Sequence, residues 1–372
     1  MDLGVYVHFP WCRARCPYCD FAIAVDDDIP HRAYADAVLA ELATRAARFD
    51  GALRSIYFGG GTPALWEPRE IGRVLDAIRA RFSGRPEEIT IEANPLDCTP
   101  ARLAALRELG IDRLSIGAQS FTDGELHALG RDHDAGTARR SVEQARAAGF
   151  DRISVDLIYA LPGRALLDWQ RTLERAVALG PPHLSVYQLT IEERTTFGAA
   201  ARAGRLVPAP DEDAAAQFEA AHSRLAAAGY EHYEVSSYAL PGARSVHNAS
   251  YWTGAPYLGL GNGAHSFWTD GERGLRWSAH RSVKRYLSGR PDGDLRRCGL
   301  VAEVEEQDAA GLRGDRVWLG LRTADGIPRD LVRDHEIAPL AAAGLLTITP
   351  DRVRPTTRGL LFADEIGARL LR

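Results

Sequence analysis

The chain has no run approaching the ~18–20 apolar residues that a membrane span requires, so no spanning helix is expected. Lysine is all but missing: Lys284 is the only one among 45 lysines and arginines. The formal net charge is -5, which argues against a protein that grips nucleic acid by its phosphates. The abundance of arginine and alanine reads as coding bias and not as function. Cysteine is scarce and odd in number, five in 372 residues. A strand pattern begins almost at once and leaves no room for a secretory leader, so a disulfide framework is not expected. A cytoplasmic, reducing setting follows, with membrane contact only through partners.

What is present starts with those cysteines. Three of them, Cys12, Cys16 and Cys19, form a C-x3-C-x2-C run just after the apolar stretch Val5–Phe9. Three thiolates at this spacing can ligate three irons of a cubane cluster and leave the fourth iron open to a ligand. Ferredoxin-type runs use a fourth cysteine at a different spacing. A structural zinc site is an alternative, but it wants a fourth nitrogen or sulfur ligand. His8 is near in sequence yet sits on the strand. Inert thiols are the third reading, and Cys98 and Cys298, which stand alone, are read that way.

Short β-branched runs recur, each followed by an amphipathic stretch. The strands expected are 5–8, 55–58, 89–93, 114–117, 153–158 and 184–189. Helices are expected over 34–47, 70–81, 101–109, 137–148 and 166–179, with Gly110, Gly149 and Gly180 as C-terminal stops. Strand and helix alternating at this rhythm predict parallel strands with right-handed crossovers. The fold class is α/β, a partial (βα)6 TIM-like barrel, with a doubly wound sheet as the other possibility.

Polar residues stand at the end of every strand: the cysteine loop, then Gly60, Gly61 and Thr62, then Glu92, Gln119, Asp156 and Thr190. In such barrels the ligand sits at the C-terminal strand ends, so these groups converge on one mouth. The triplet Gly59-Gly60-Gly61 matches no phosphate-loop spacing. It reads either as a tight turn or as a backbone edge that grips a carboxylate or amino group.

These residues resemble the radical-SAM superfamily, in the branch of the coproporphyrinogen dehydrogenases and heme chaperones. The resemblance runs through YVHFPWC (Tyr6–Cys12), CPYCDF (Cys16–Phe21), YFGGGTP (Tyr57–Pro63), IEANP (Ile91–Pro95) and SIGAQSF (Ser115–Phe121). It continues through LGRDH (Leu129–His133) and ISVDLIYALPG (Ile153–Gly163) to HNASYW (His247–Trp252) and YLGLGNGAHSF (Tyr257–Phe267). It implies the radical-SAM type of partial barrel and a [4Fe-4S] cluster on Cys12, Cys16 and Cys19. S-adenosylmethionine would chelate the open iron, held by Gly60, Gly61, Thr62, Glu92, Gln119, Arg131 and Asp156. Tyr6, Tyr18 and Thr190 match further cofactor contacts.

Phe21 stands where the decarboxylases carry a further cysteine, and those enzymes have an N-terminal extension for which there is no counterpart before Tyr6. The chain follows the heme chaperones in both respects. The segment His247, Asn248, Tyr251 and Trp252 is associated in them with heme. His247 could ligate heme iron; alternatively His247 and Asn248 shape a turn while the aromatics fill the core. His265 could also contact heme or face the cofactor mouth. Asn262 departs from the small residue usual at its place. The tail, expected as a helix over 339–343 and a hairpin, resembles a winged-helix module; its slight acidic excess argues against DNA binding. Three regions are expected: the barrel (1–200), an extension bearing the heme segment (201–290) and the winged-helix-like module (291–372). The function implied is binding heme and handing it to acceptors such as respiratory enzymes, with an external electron donor for the cluster. The alternative is an oxygen-independent coproporphyrinogen III dehydrogenase that uses a 5′-deoxyadenosyl radical.

Overall fold

A computed structural model describes residues 2–371. Six parallel strands form its centre: β1 (Asp2–Phe9), β2 (Ala52–Gly60), β3 (Glu88–Ala93), β4 (Arg113–Gln119), β5 (Arg152–Tyr159) and β6 (His183–Gln188). Each was expected. Their inner positions, such as Val5, Val7, Ile56, Phe58, Ile91, Leu114, Val155 and Leu184, are sealed from solvent. Burial on both faces is why these strands read as apolar runs and not as alternating ones. Burying each such side chain stabilises the fold by ~1.5–3 kcal/mol.

The crossover helices are α1 (His31–Arg45), α2 (Pro68–Arg81), α3 (Pro100–Glu108), α4 (Asp123–Ala128), α5 (Ala135–Ala147) and α6 (Leu166–Leu179). In α2 the buried stripe Ile71, Val74, Leu75 and Ile78 has the 3–4 spacing of one helix face. Thr99 caps α3 by accepting from Arg102 N, with Pro100 at the first helical position. Gly110, Gly149 and Gly180 follow α3, α5 and α6 with positive φ, as expected of helix stops. α4 was not anticipated; six residues are too few to display a helical period.

β1 and β6 do not pair with each other, so the barrel is open. The sheet instead continues at both edges. Beyond β6 lie β8 (Ser237–Ala239) and β7 (Glu231–Glu234), reached through α7 (Thr196–Arg202) and α8 (Asp211–Ala227). On the other side β1 pairs in parallel with β9 (Tyr257–Leu260), which follows α9 (Val246–Trp252). The antiparallel strands β10 (His265–Thr269), β11 (Gly274–Ala279) and, after α10 (Val283–Ser288), β12 (Val301–Gln307) complete one sheet of twelve strands.

The remainder holds α11 (Ala309–Gly320), β13 (Ile327–Pro328), α12 (Asp334–Ala342), β14 (Leu346–Ile348), β15 (Arg352–Pro355), α13 (Thr357–Leu361) and α14 (Ala363–Leu370). Its three-stranded sheet has the order β13-β15-β14 and its own core of Val317, Leu321, Ile337, Leu340 and Val353. Helix, strand, helix and hairpin in this order is a winged-helix arrangement. The helix expected to start at Pro339 starts at Asp334, with the proline inside it and Glu336 bonding Arg333 N at the entry. Among the described residues no helix is long and apolar enough to cross a membrane.

Candidate functional site

The cysteine loop is built by its backbone. Cys12 N donates to Ala24 O (3.0 Å) and Ala24 N to Pro10 O (2.8 Å), which closes the loop; Cys19 N donates to Cys16 O (3.1 Å) inside it. The glycine run lies directly beneath. A Cβ on Gly61 would stand 2.6 Å from Pro10 O, and one on Gly60, whose φ is +117°, 2.5 Å from the His8 ring. Glycine is needed there because backbone and ring occupy the space of any side chain. The amides of the run already have acceptors: Gly60 N bonds Glu92 Oε2 (2.9 Å), Gly61 N bonds Phe9 O (2.8 Å) and Thr62 N bonds Trp11 O (2.9 Å). These N–H groups are therefore not free to donate to a carboxylate: those of Gly61 and Thr62 seat the strand that leads into the cysteine loop, and that of Gly60 holds Glu92.

His8 does not complete a zinc site. Its Nδ1 lies 3.1 Å from Tyr6 Oη and its Nε2 3.0 Å from Ala22 O, so both nitrogens are engaged. Among the described residues no three His, Cys, Asp or Glu side chains converge to hold a single metal ion. Cysteines that bind different irons of one cluster need not converge in that way.

A cavity of about 340 Å³ opens over the strand ends. It is lined by Cys12, Cys16, Cys19, Tyr18, Gly60, Gly61, Thr62, Glu92, Gln119, Arg131, Asp156 and Thr190, every residue expected to hold the cluster or S-adenosylmethionine except Tyr6. Tyr6 stands behind it, its ring 6.1 Å from Tyr57. Gln119 has φ +66°, a conformation seldom adopted by a residue with a side chain. It falls where the β4–β5 register breaks, and its amide folds back over Gly117.

The electrostatics of this cavity are unbalanced. Glu92 accepts from Tyr57 Oη (2.8 Å) and from Gly60 N, yet burial, aided by Asp156, pushes its carboxyl up to about 7. Burial likewise raises Asp156 to about 6, although Ser115 Oγ donates to it at 3.2 Å. Opposite them Arg131 donates to Gly117 O (3.0 Å) and reaches Cys16 Sγ (3.2 Å), while its buried Nε has no partner among the described residues. Two buried acids want a cation, and the guanidinium has an unused donor. Three thiols, two acids and an arginine fit an iron–sulfur cluster carrying a zwitterionic sulfonium, the pair implied by the resemblance.

A second cavity of about 1670 Å³ adjoins the first, sharing Tyr18, Cys19, Phe21, Gly60, Glu92 and Thr190 with it. Its walls are rich in flat and apolar groups: Tyr6, Tyr251, Tyr257, Phe267, Trp318, Leu312 and Leu319. Phe21 is 64% exposed at its edge. His265, His280, Arg276, Arg281 and Arg316 also line it. Sequence reasoning missed Tyr257, Arg276 and Trp318; the only available signal was the alternation His265, Phe267, Thr269 along β10.

His247 lies apart from both cavities. It is completely buried, with Nδ1 2.8 Å from Ser55 Oγ and Nε2 2.8 Å from Tyr251 Oη, and its ring stacks on Tyr57 at 5.0 Å. Burial lowers its pKa to about 3, so the ring is neutral. An axial ligand must offer iron a free nitrogen, and here neither is free. The reason is the buried Glu88 carboxylate, which accepts from Val246 N (3.0 Å) and His247 N (3.1 Å) and turns the start of α9 inward. The segment is thus divided: His247 pins the helix, Asn248 reaches the smaller cavity and Tyr251 the larger. Trp277 fills the core against Phe49. Asn262 is fully buried and satisfied, accepting from Tyr34 Oη (2.9 Å) and donating to Arg281 O (3.0 Å) and Ala22 O (3.3 Å).

Comparison with known proteins agrees with this architecture. Residues 6–176 match the Radical SAM superfamily. The chain is 40% identical to the heme chaperone HemW of Escherichia coli (strain K12) over 77% of its length and 76% of that protein's. It is 36% identical to the heme chaperone HemW of Mycobacterium tuberculosis (strain CDC 1551 / Oshkosh) over 99% of its length and 94% of the relative's. The solved structure of coproporphyrinogen III oxidase (HemN) from Escherichia coli superposes with a TM-score of 0.81 over 99% of this chain and 90% of that one, at 24% identity, a likeness of fold. The chain belongs to the radical-SAM superfamily, in the family of the HemW heme chaperones.

Proposed function

We propose that this protein is a cytoplasmic heme chaperone whose cargo site adjoins a [4Fe-4S] cluster and S-adenosylmethionine. The observation that carries the reading is the pairing of cavities. A small polar one lies over the cysteine loop, and a large one with aromatic walls opens beside it. A porphyrin is flat and apolar with acidic edges, and the larger cavity offers flat apolar walls and several arginines. Residues 1–200 form the cofactor barrel in this reading, 201–290 contribute Tyr251 and the β10 hairpin, and 291–372 cover the cargo through α11.

Cys12, Cys16 and Cys19 would hold the cluster, which supplies one-electron chemistry to a ligand on its open iron. Glu92 and Asp156 would hold the cationic part of S-adenosylmethionine, and Arg131 would neutralise its carboxylate and the Cys16 thiolate. Gln119, Thr62, Tyr18 and Thr190 orient it. Heme then passes to an acceptor such as a respiratory enzyme, with an external electron donor serving the cluster.

The test is anaerobic. Hemin titrated into the reconstituted protein should bind saturably, and an absence of saturable binding refutes the proposal. Reductant, S-adenosylmethionine and coproporphyrinogen III supplied together should yield no protoporphyrinogen; its appearance overturns a chaperone-only function.

A further inference from the structure

We infer that the outer face of the cysteine loop, Arg13-Ala14-Arg15 with Leu96 beside it, is the docking surface for a small acidic protein that carries single electrons. The inference rests on the cluster-bearing reading above and names the chemistry of the donor that reading leaves open. The thiols of Cys12, Cys16 and Cys19 are half-buried, and their surroundings leave one way out. Inward lies the smaller cavity. Beneath, Gly61 packs on the Pro10 and Trp11 backbone. The second half of the loop is roofed. Phe197 N donates to Pro17 O (2.9 Å), and Gly130 lies so close to Pro17 that an added Cβ would stand 2.7 Å from its ring. The first half is open: Arg13, Ala14 and Arg15 are all exposed. Arg13 and Ala14 also border the smaller cavity, so this stretch joins the chamber of the cysteines to solvent.

The face is cationic on a chain whose net charge is -5. Arg13 donates through Nε to Asp97 Oδ1 (3.1 Å), and its Nη2 reaches the same oxygen. The Arg13 side chain is 53% exposed, whereas that of Asp97 is 3% exposed. The other Asp97 oxygen is buried without a partner among the described residues. Burying a carboxylate this way is costly, and what it secures is the direction of one surface guanidinium. Arg15 bonds only Ile23 O (2.8 Å) and has no ion pair among the described residues. Leu96, next to Asp97 in the chain, is exposed and adds an apolar contact. One fixed cation, one free cation and a small apolar spot suit the carboxylates of a partner. Electron-transfer encounters are weak and cover less than ~1,200 Å², so a patch of this size is enough. The exposed acids Asp26, Asp27 and Asp28 follow Val25 and carry the opposite sign. They bound the patch and turn an acidic partner away from the exit of the loop.

The step itself is simple. One electron leaves the reduced carrier, which is oxidised, and enters the cluster, which is reduced by one; no bond forms and no proton moves.

The probe is a plant-type [2Fe–2S] ferredoxin, an acidic one-electron carrier. Calorimetry measures binding of its oxidised form to the reconstituted protein, and stopped-flow absorbance measures reduction by its reduced form. Arg15→Glu should weaken binding and slow reduction at least ~10-fold at ~0.01 M salt, and the gap should close at ~1 M, where charges are screened within ~3 Å. Arg369→Glu makes the same charge change on α14, outside both cavities, and should behave as wild type. Asp27→Asn should bind no more weakly than wild type. Iron content and complete reduction by dithionite should be unchanged in all three. If Arg15→Glu assembles no cluster, Arg15→Gln, which removes the charge without reversing it, should still show a loss of ~3-fold. Wild-type behaviour of the Arg15 variants at low salt, an equal loss in Arg369→Glu, or a gap that persists at ~1 M overturns the docking surface. So does a wild type that neither binds the carrier nor is reduced by it. None of these outcomes touches hemin binding, which is titrated separately; a wild type that takes the carrier but no hemin defeats the chaperone reading alone.

Discussion

Glu92→Gln should stabilise the cofactor-free protein at pH 8 while weakening S-adenosylmethionine. The Glu92 carboxyl lies at the base of the smaller cavity, and burial raises it from 4.5 to about 7. At ~1.4 kcal/mol per pH unit that rise corresponds to ~3 kcal/mol, and water in the cavity screens it to ~1–2 kcal/mol. The folded state binds this proton more tightly than the unfolded state. Its contribution to stability is therefore whole below pH 4.5 and is lost as pH climbs through about 7. Glutamine resembles the protonated acid at every pH. Its Oε1 can accept from Gly60 N while its amide donates to Tyr57 Oη, so the local hydrogen bonds survive. Urea unfolding of both proteins from pH 4 to pH 8 should show midpoints that coincide at the acid end and separate in favour of the variant at pH 8. Calorimetry at pH 8 should show S-adenosylmethionine bound more weakly by the variant, which has lost the carboxylate proposed to face its cation. Equal midpoints at pH 8, or a gap that does not change with pH, would refute the reasoning.

Cys16→Ala should abolish the visible absorbance of the reconstituted cluster; retained absorbance rejects Cys16 as a ligand. Gly61→Ala should prevent cluster assembly, because its Cβ would lie 2.6–2.7 Å from the Pro10 and Trp11 carbonyls, and iron content after reconstitution measures this. Asn262→Ala strips donors from Arg281 O and Ala22 O while Tyr34 keeps its bond to His8 O, so a loss of ~1–3 kcal/mol is expected from the unfolding midpoint.

The parallel half of the fold was open to sequence reading because its strands are buried on both faces and its polar residues gather at one end of each. Cys12, Gly60, Glu92, Gln119 and Asp156 could be placed together from that pattern alone. The antiparallel half was not. β12 reads VAEVEEQ, with glutamates on a sheet edge, and β9 has only four residues. Neither carries a period long enough to identify. The His247 segment was visible as a motif, but the direction of its side chain was not. That direction depends on Glu88, a residue 159 positions earlier that lies inside β3. A helix of seven residues gives no face to read. The three glycines were noticed for the freedom of their amides, whereas close packing is what requires them: Gly59 against Tyr6 and Tyr57, Gly60 against His8, and Gly61 against the Pro10 and Trp11 backbone.

The pairing of β1 with β9 bears on how the protein is made. Val5 is registered with Leu258 and Tyr6 with Gly259, partners separated by some 250 residues of chain. The cysteine motif is translated long before β9, which completes one flank of its supporting strand. Domains mostly form in order during synthesis, and contacts this distant close slowly. Metal loading of the cysteines therefore belongs after β9 has been made, and a nascent chain stopped before β9 should hold its thiols without the rigid floor that assembly demands.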